Sequence, residues 1–462
     1  MSSRIEKDSL GEVKVPSEML WGAQTQRAVN NFRISGIRFQ RELIRALGIV
    51  KKSAAKANRR IGYMTPECSD KIIRAADEII SGEKENQFPL DIFQTGSGTS
   101  LNMNINEVIS NIANMRSGES PGTKSPVHPN DHANMGQSSN DVIPTTIHIA
   151  VSETISKQLL PAMKLLFKSF LNKENEFNGV VKLGRTHLQD ATPVRLGQEF
   201  SGYAEMIKKS IERIEMGLNG LMELPLGGTA VGTGLNTHND FPSHAIEEIS
   251  EITGLDFIEA ANHFEAQSSK DALVFMSSAF KTFAISLSKI ANDIRWAGSG
   301  PFGGIGELIL PEVQPGSSIM PGKVNPVIPE AVLQVCAKVI GNDTTISICG
   351  QSGNFQLNTM MPLIGFTSVQ SALILSNSVN IFRKKCIDGL KADKKRCEEL
   401  LEKSLAMVTS LTPVIGYDKA GEVAKEAYRS GMSIREILMG KGYLDEKKID
   451  ELLDPFKMTG IK

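Results

Sequence analysis

Between Phe200 and Leu221 the apolar residues Phe200, Ala204, Ile207, Ile211, Ile214, Leu218 and Leu221 recur at alternating steps of four and three. A 3.5-residue period keeps one face of a helix against its neighbours in a left-handed bundle. Phe280, Phe283, Ala284, Leu287, Ile290, Ala291 and Ile294 form a second helical stripe. Helical patterning also runs from Arg41 past Arg60, from Cys68 to Ser81 just after Pro66, and over 143–172, 329–340 and 358–390, where Pro362 predicts a kink. Strand alternation is scarce, and a short hairpin around Leu10-Gly11, in the Val13/Val15 context, is the main expectation of that kind. The predicted class is all-α, built on a central bundle of long helices. Helices well beyond the usual ~11–12 residues imply an extended bundle, whose remaining apolar faces are buried by oligomerising. Such stripes are structural and carry no chemistry.

The polar interruptions are more informative. Gly316-Ser317-Ser318-Ile319-Met320-Pro321-Gly322-Lys323-Val324-Asn325-Pro326 is too rich in Gly and Pro to be helix. Its hydroxyls, ammonium and amide, followed by Glu330, suit an anionic, oxygen-rich small molecule. Met320 and the apolar run 324–329 argue against a free linker and for a loop that closes over a ligand. Phe93–Ser100 is a Gly-rich polar turn entering an Asn-rich helix. The segment 117–142 reads as a long loop carrying His128-Pro129-Asn130-Asp131 and Gln137-Ser138-Ser139-Asn140-Asp141. Leu226–Asn236 has neither a preceding strand nor a Gly-Lys-Ser/Thr ending, so it reads as a tight helix-to-helix connection and not a phosphate loop. After Asp393 a smaller charged unit follows, where Ser433–Glu436 is a capping box and Gly440 and Gly442 end the helix.

Composition narrows the classes. Fifty-one Lys+Arg balance 52 Asp+Glu, leaving no field for nucleic acid or an acidic membrane surface. No uninterrupted apolar run approaches the ~20 residues of a membrane span. The N-terminus lacks the apolar core of a signal peptide, and a cytoplasmic location is expected. The five cysteines show no Cys-x-x-Cys spacing and are expected to be reduced. Among the seven histidines only His128 and His132 stand four apart, in a proline-containing loop and not on a helix face, and no metal is predicted.

Four polar clusters, Gly96–Thr99, Ser138–Asn140, Thr186-His187 and Gly316–Asn325, share one inventory of hydroxyl and amide donors. Each alone would be ordinary helix capping; with one lysine and one histidine they make a shell for a dicarboxylate. The 316–326 run is a long, specific signature. Together with Gly96-Ser97-Gly98-Thr99, Gln137–Asp141, Gly184-Arg185-Thr186-His187-Leu188-Gln189-Asp190-Ala191 and Gly228–Asn236, it resembles the fumarase/aspartase superfamily and, within it, the class II fumarate hydratases. The similarity runs from Trp21-Gly22-Ala23-Gln24-Thr25-Gln26 to Gly416-Tyr417-Asp418-Lys419-Ala420.

The resemblance implies three domains: 1–138, mixed and mostly helical; 139–393, the long-helix bundle with a mobile loop at 314–326; and 394–462, small and helical. It implies a homotetramer with active sites shared between subunits, and reversible hydration of fumarate to (S)-malate in the citric acid cycle without metal or organic cofactor. By the family's roles Ser317 is the base. Lys323 and Asn325 stabilise the aci-carboxylate, and His187 pairs with Glu330 to manage the proton of water. Ser97, Thr99, Ser138, Ser139, Asn140, Thr186 and Ser318 bind the substrate carboxylates. His128, Pro129, Asn130 and Asp131 match a second dicarboxylate site, although such a loop is often only a turn. Aspartate ammonia-lyase is the alternative. Val327-Ile328-Pro329 departs from the Thr-Gln-Cys-like run of many fumarases, whereas Ser138-Ser139-Asn140 and Gly96-Ser97-Gly98-Thr99 favour the hydratase. A retired, structural relative is the third reading, opposed by the presence of Ser317, Lys323, Asn325, His187 and Glu330.

Overall fold

A computed structural model describes residues 2–460. The hairpin comes first: strands β1 (Ser3–Asp8) and β2 (Gly11–Pro16) pair antiparallel, with Asp8 opposite Gly11 across a two-residue turn. Helices α1 (Ala23–Asn31), α2 (Arg41–Arg60) and α3 (Pro66–Ser81) follow, then α4 (Thr99–Arg116), α5 (Ser139–Thr154) and, after a π-helical turn, α6 (Leu160–Glu176). Next are the strands β3 (Val181–Thr186) and β4 (Gln189–Arg195), then α7 (Leu196–Gly220), α8 (Phe241–Thr253), α9 (His263–Ser268) and α10 (Asp271–Ala297). The chain continues through α11 (Val327–Gly350), α12 (Met361–Phe382), α13 (Lys394–Glu402), α14 (Thr412–Ile415), α15 (Tyr417–Ser430), α16 (Ile434–Lys441) and α17 (Glu446–Leu452). The all-α expectation holds, since every sheet among the described residues is a two-stranded pair.

The chain divides into two compact units. The first comprises 1–161, 212–284 and 336–377; the second comprises 162–211, 285–335 and 378–462. In the first unit, α2 packs against α3, α5 and α8. Leu43, Leu47, Val50, Ala54 and Ala57 on α2 are buried, each large aliphatic side chain contributing about 1.5–3 kcal/mol on leaving water. The start of α1 is held by a side chain from α4. Glu107, buried, accepts N–H bonds from Gly22 (2.8 Å), Gln24 (2.9 Å) and Thr25 (3.1 Å) and the Thr25 hydroxyl (2.6 Å). A carboxylate at a helix N-terminus satisfies donors that the helix itself leaves unpaired. A Cβ on Gly22 would lie 2.9 Å from that carboxylate, which accounts for the Trp21–Gln26 motif.

In the second unit, β3 carries two cations of a buried ion cluster. Glu307 is fully buried and meets Arg185 at 2.9 Å and Lys182 at 3.1 Å, while Lys182 also reaches Glu199 at 2.7 Å. Removing one partner of such a cluster costs about 3–5 kcal/mol, because a buried charge is left alone. Phe170, Phe177, Phe200 and Tyr203 stack edge-on or tilted nearby, with centroids 5.1–6.1 Å apart. The C-terminal helices close on their own core of Leu411, Val423, Ala427, Ile434, Ile437, Leu438 and Ile449. The capping box at Ser433 and the left-handed C-cap at Gly442 are both present.

Both predicted stripes are core. Phe200, Ala204, Ile207, Ile211, Ile214 and Leu221 are buried with Leu218 at the margin, and the whole Phe280–Ile294 set is buried. Several expectations change. Pro362 does not kink a helix; it is the second residue of α12, where a missing N–H breaks no bond, and the helix ends in a π-helical turn at Arg383–Ile387. The 117–142 loop is shorter than expected, because α5 begins at Ser139. α10 does have the length and apolar composition of a membrane span, but half of its most apolar stretch is buried inside the structure, as in the core helix of a globular protein.

Candidate functional site

The turn 95–98 delivers α4 by a close backbone approach. Met361 N–H donates to Gly96 C=O at 3.1 Å, and a Cβ on Gly96 would lie 1.9 Å from Thr359 C=O. Gly98 takes φ +74°, a left-handed conformation that glycine adopts freely. These two glycines place Ser97 and Thr99 in a line of hydroxyls: Ser97 Oγ to Thr99 Oγ1 at 2.7 Å, and Thr99 Oγ1 to Ser139 Oγ at 2.7 Å. Ser139 comes from the start of α5. Ser138 caps that helix; its Oγ accepts the Asn140 N–H (3.2 Å), and Asp141 accepts the Ser138 N–H (2.9 Å). Thus Ser97, Thr99, Ser138, Ser139 and Asn140 do come together in the first unit.

Two charged residues behind them escape sequence reading. Lys51 of α2 is fully buried and donates to Asn134 Oδ1 (3.1 Å) and Gln137 Oε1 (2.9 Å). Burial pulls its ammonium down to about 7, against the favourable charge of Asp141. Burial likewise pushes the Asp141 carboxyl up, opposed by N–H bonds from Ser138, Thr229 and Gly227 and by Lys51. Lys51 had one sequence signal: it lies four residues after Leu47 on the apolar stripe of α2. Asp141 had the Ser-x-x-Asp spacing of a capping box. Further along α5, His148 is 8% exposed, sets Nδ1 against Glu223 C=O at 2.9 Å, and is lowered to about 4 chiefly by burial, then by the Lys270 charge.

The His128-Pro129-Asn130-Asp131 motif forms a tight turn. His128 Nδ1 accepts the N–H groups of Asn130 (3.2 Å) and Asp131 (3.1 Å), with Pro129 buried beneath. Its Nδ1 is therefore occupied internally.

The second unit holds the rest. Thr186 ends β3 and pairs with Gln189, so His187 and Leu188 alone form the hairpin turn, both left-handed at φ +57° and +58°. Two-residue turns of this hand match the twist of the strands but usually contain Asn or Gly. Non-glycine residues there store strain and fix the side chain's direction. In the loop after α10, Ser317 Oγ accepts two backbone N–H groups, from Ile319 (3.2 Å) and Met320 (3.0 Å). The loop base is pinned by Gly316 N–H to Lys323 C=O (2.9 Å) and by Asn325 Nδ2 to Gly316 C=O. A Cβ on Gly316 would lie 2.2 Å from the Lys323 carbonyl. Ser318 is exposed, and Lys323 and Asn325 line a cavity of about 540 Å³ together with Arg295. The Lys323 ammonium makes no hydrogen bond or ion pair among the described residues. Glu330 sits in the first turn of α11. Within one chain no hydrogen bond or ion pair among the described residues joins it to His187.

Comparison with known proteins fits this geometry. The lyase family model matches residues 11–341, and the model of the fumarase C C-terminus matches residues 407–460. The class II fumarate hydratase of Halobacterium salinarum is 54% identical over 456 residues, covering 99% of this chain and 97% of that one. That of Methylorubrum extorquens is 49% identical over 458 residues, with 99% and 97% covered. The crystal structure of a recombinant class II fumarase from Schistosoma mansoni superposes with a TM-score of 0.96 at 37% identity, over 99% of both chains. The chain belongs to the class II fumarate hydratases of the fumarase/aspartase superfamily.

Proposed function

We propose that this chain hydrates fumarate reversibly to (S)-malate. The observation that carries the reading is the near end-to-end identity of 49–54% to fumarate hydratases, and the local geometry supplies a chemistry to match. In the dehydration direction a weakly acidic C–H beside a carboxylate must be deprotonated, turning a dianion into an aci-carboxylate with a third charge. Ser317 is the base. Its hydroxyl becomes basic enough only if the alkoxide is stabilised, and the Ile319 and Met320 N–H groups already point at Oγ. Lys323 and Asn325 meet the charge as it develops. His187, with the Glu330 carboxylate setting its tautomer, handles the proton of the departing or added water. The line Ser97, Thr99, Ser139, with Ser138, Asn140, Thr186 and Ser318, donates to the substrate's carboxylates. His128, Pro129, Asn130 and Asp131 form a second dicarboxylate site, with His128 Nε2 left for the ligand.

The same reading takes the chain as three domains, 1–138, 139–393 and 394–462, and as a cytoplasmic homotetramer whose sites combine residues of several subunits and need no metal. Its support is apolar surface left on the long helices: Met216, Phe275, Ile285, Ile348 and Ile381 are 47–62% exposed. Following fumarate loss by ultraviolet absorbance in ammonia-free buffer tests the activity. Malate formation is expected. Turnover that starts only on adding ammonium hands the chain to the aspartase reading, which Val327-Ile328-Pro329 favours. No turnover with either nucleophile leaves a retired structural relative.

A further inference from the structure

The Gly-rich run 227–234 has no part in the chemistry above, yet it is fastened to the carboxylate-binding strip by one side chain. Asp141 lies in the first turn of α5 with no exposed surface. One oxygen accepts the Ser138 N–H at 2.9 Å; the other accepts the Gly227 and Thr229 N–H groups at 3.0 Å each. A second tie runs from Asn140 Nδ2 to Ala230 C=O at 2.8 Å. The run is rigidly seated on its other side. Gln267 Nε2 donates to Thr229 C=O at 2.8 Å, and a Cβ on Gly228 would lie 2.1 Å from Gln267 Oε1. Thr229 itself holds φ +54°, a conformation that persists only where surroundings impose it.

We infer that Asp141 is a positioning residue for the hydratase reaction: its carboxylate clamps the 227–230 loop to the 138–140 strip, so that Ser138, Ser139 and Asn140 offer their donors at fixed places. The inference rests on the proposed substrate-binding role of that strip. A carboxylate can accept on both oxygens at once, which is what three N–H donors on two segments require. The isosteric amide accepts on one atom only and turns its own N–H groups toward the remaining donors. Asp141→Asn therefore releases either the cap or the loop. Hydrogen bonds hold only within a narrow range of distance and angle, so a displaced strip binds carboxylate more weakly.

Steady-state kinetics on full-length Asp141→Asn, with Ser139→Ala and Asn140→Ala in parallel, tests this. We expect KM for fumarate to rise at least about tenfold while kcat stays within about threefold, because donors to the carboxylate whose charge does not change in the reaction contribute uniform binding. A merely structural loss lowers the active fraction, and so lowers kcat at unchanged KM; that result overturns the inference. If Ser139→Ala and Asn140→Ala raise KM but Asp141→Asn does not, the clamp is wrong and the binding strip stands. If none of the three moves KM, the strip itself is wrong and the clamp falls with it. Should Asp141→Asn fail to fold, amide exchange on the wild-type protein decides. Saturating succinate, a dicarboxylate without the reactive double bond, is expected to slow exchange in 226–231 together with 138–141; slowing confined to 138–141 refutes the clamp.

Discussion

His148 makes stability depend on pH in a way that can be calculated. It is buried in α5, neutral, and lowered from 6.5 to about 4 mainly by burial. The unfolded chain takes up a proton near pH 6.5 that the folded one refuses until near pH 4. Folding therefore loses stability as pH falls through that window, and loses nothing above it. With those two values the loss is about 2–3 kcal/mol between pH 7.5 and 4.5, since each tenfold difference in proton affinity between the two states is worth about 1.4 kcal/mol. His148→Asn removes the titration while keeping an N–H for the Glu223 carbonyl. Urea unfolding followed by circular dichroism, at matched protein concentration from pH 7.5 to 4.5, gives both stability curves. Carboxylates such as Asp141 and Glu107 affect both proteins alike and cancel in the difference. The wild type should fall below its own neutral-pH value by about 2–3 kcal/mol more than the variant does. Parallel curves would show that folded His148 takes up its proton over the same pH range as the unfolded chain, and the burial argument would be wrong.

Ser317→Ala should lower kcat by far more than it raises KM, because the base acts only in the transition state; near-normal kcat in a malate-dehydration assay rejects Ser317 as the base. Lys323→Ala should cost about 10²–10³-fold in kcat, the usual loss on removing a donor to developing charge. A change in KM alone would mean Lys323 recognises the ground-state dianion. Gly96→Ala should lower thermal stability by about 1–3 kcal/mol, since its methyl would meet the Thr359 carbonyl at 1.9 Å. It should also raise KM for fumarate, because Ser97 and Thr99 ride on that turn; unchanged melting temperature and KM would show that the contact relaxes freely.

Much of the architecture was written in periodicity. The Phe200–Leu221 and Phe280–Ile294 stripes became buried helix faces because nothing but packing determines such positions. Pro362 misled because a proline one residue into a helix looks, in sequence, much like one that breaks it. The start of α5 was missed by a few residues because its signal was the Ser138–Asp141 cap, which sits inside a run of polar residues with no apolar rhythm. Resemblance named the hydroxyl clusters, and the structure joined those of α4 and α5 by hydrogen bonds of 2.7 Å. Lys51 was legible only as a lysine on the wrong face of α2, and no spacing announces that Asn134 and Gln137, some eighty residues away, will receive its ammonium. The left-handed pair His187-Leu188 was equally hidden, because neither residue type asks for that conformation.

The two N–H groups that solvate Ser317 Oγ belong to the second and third residues after it. Any displacement of the segment therefore carries this pair of donors along with the oxygen they meet. On the proposed mechanism only one prepared group then has to reach the carbon acid, and the reorganisation that a naked alkoxide would demand at each turnover is settled when the chain folds.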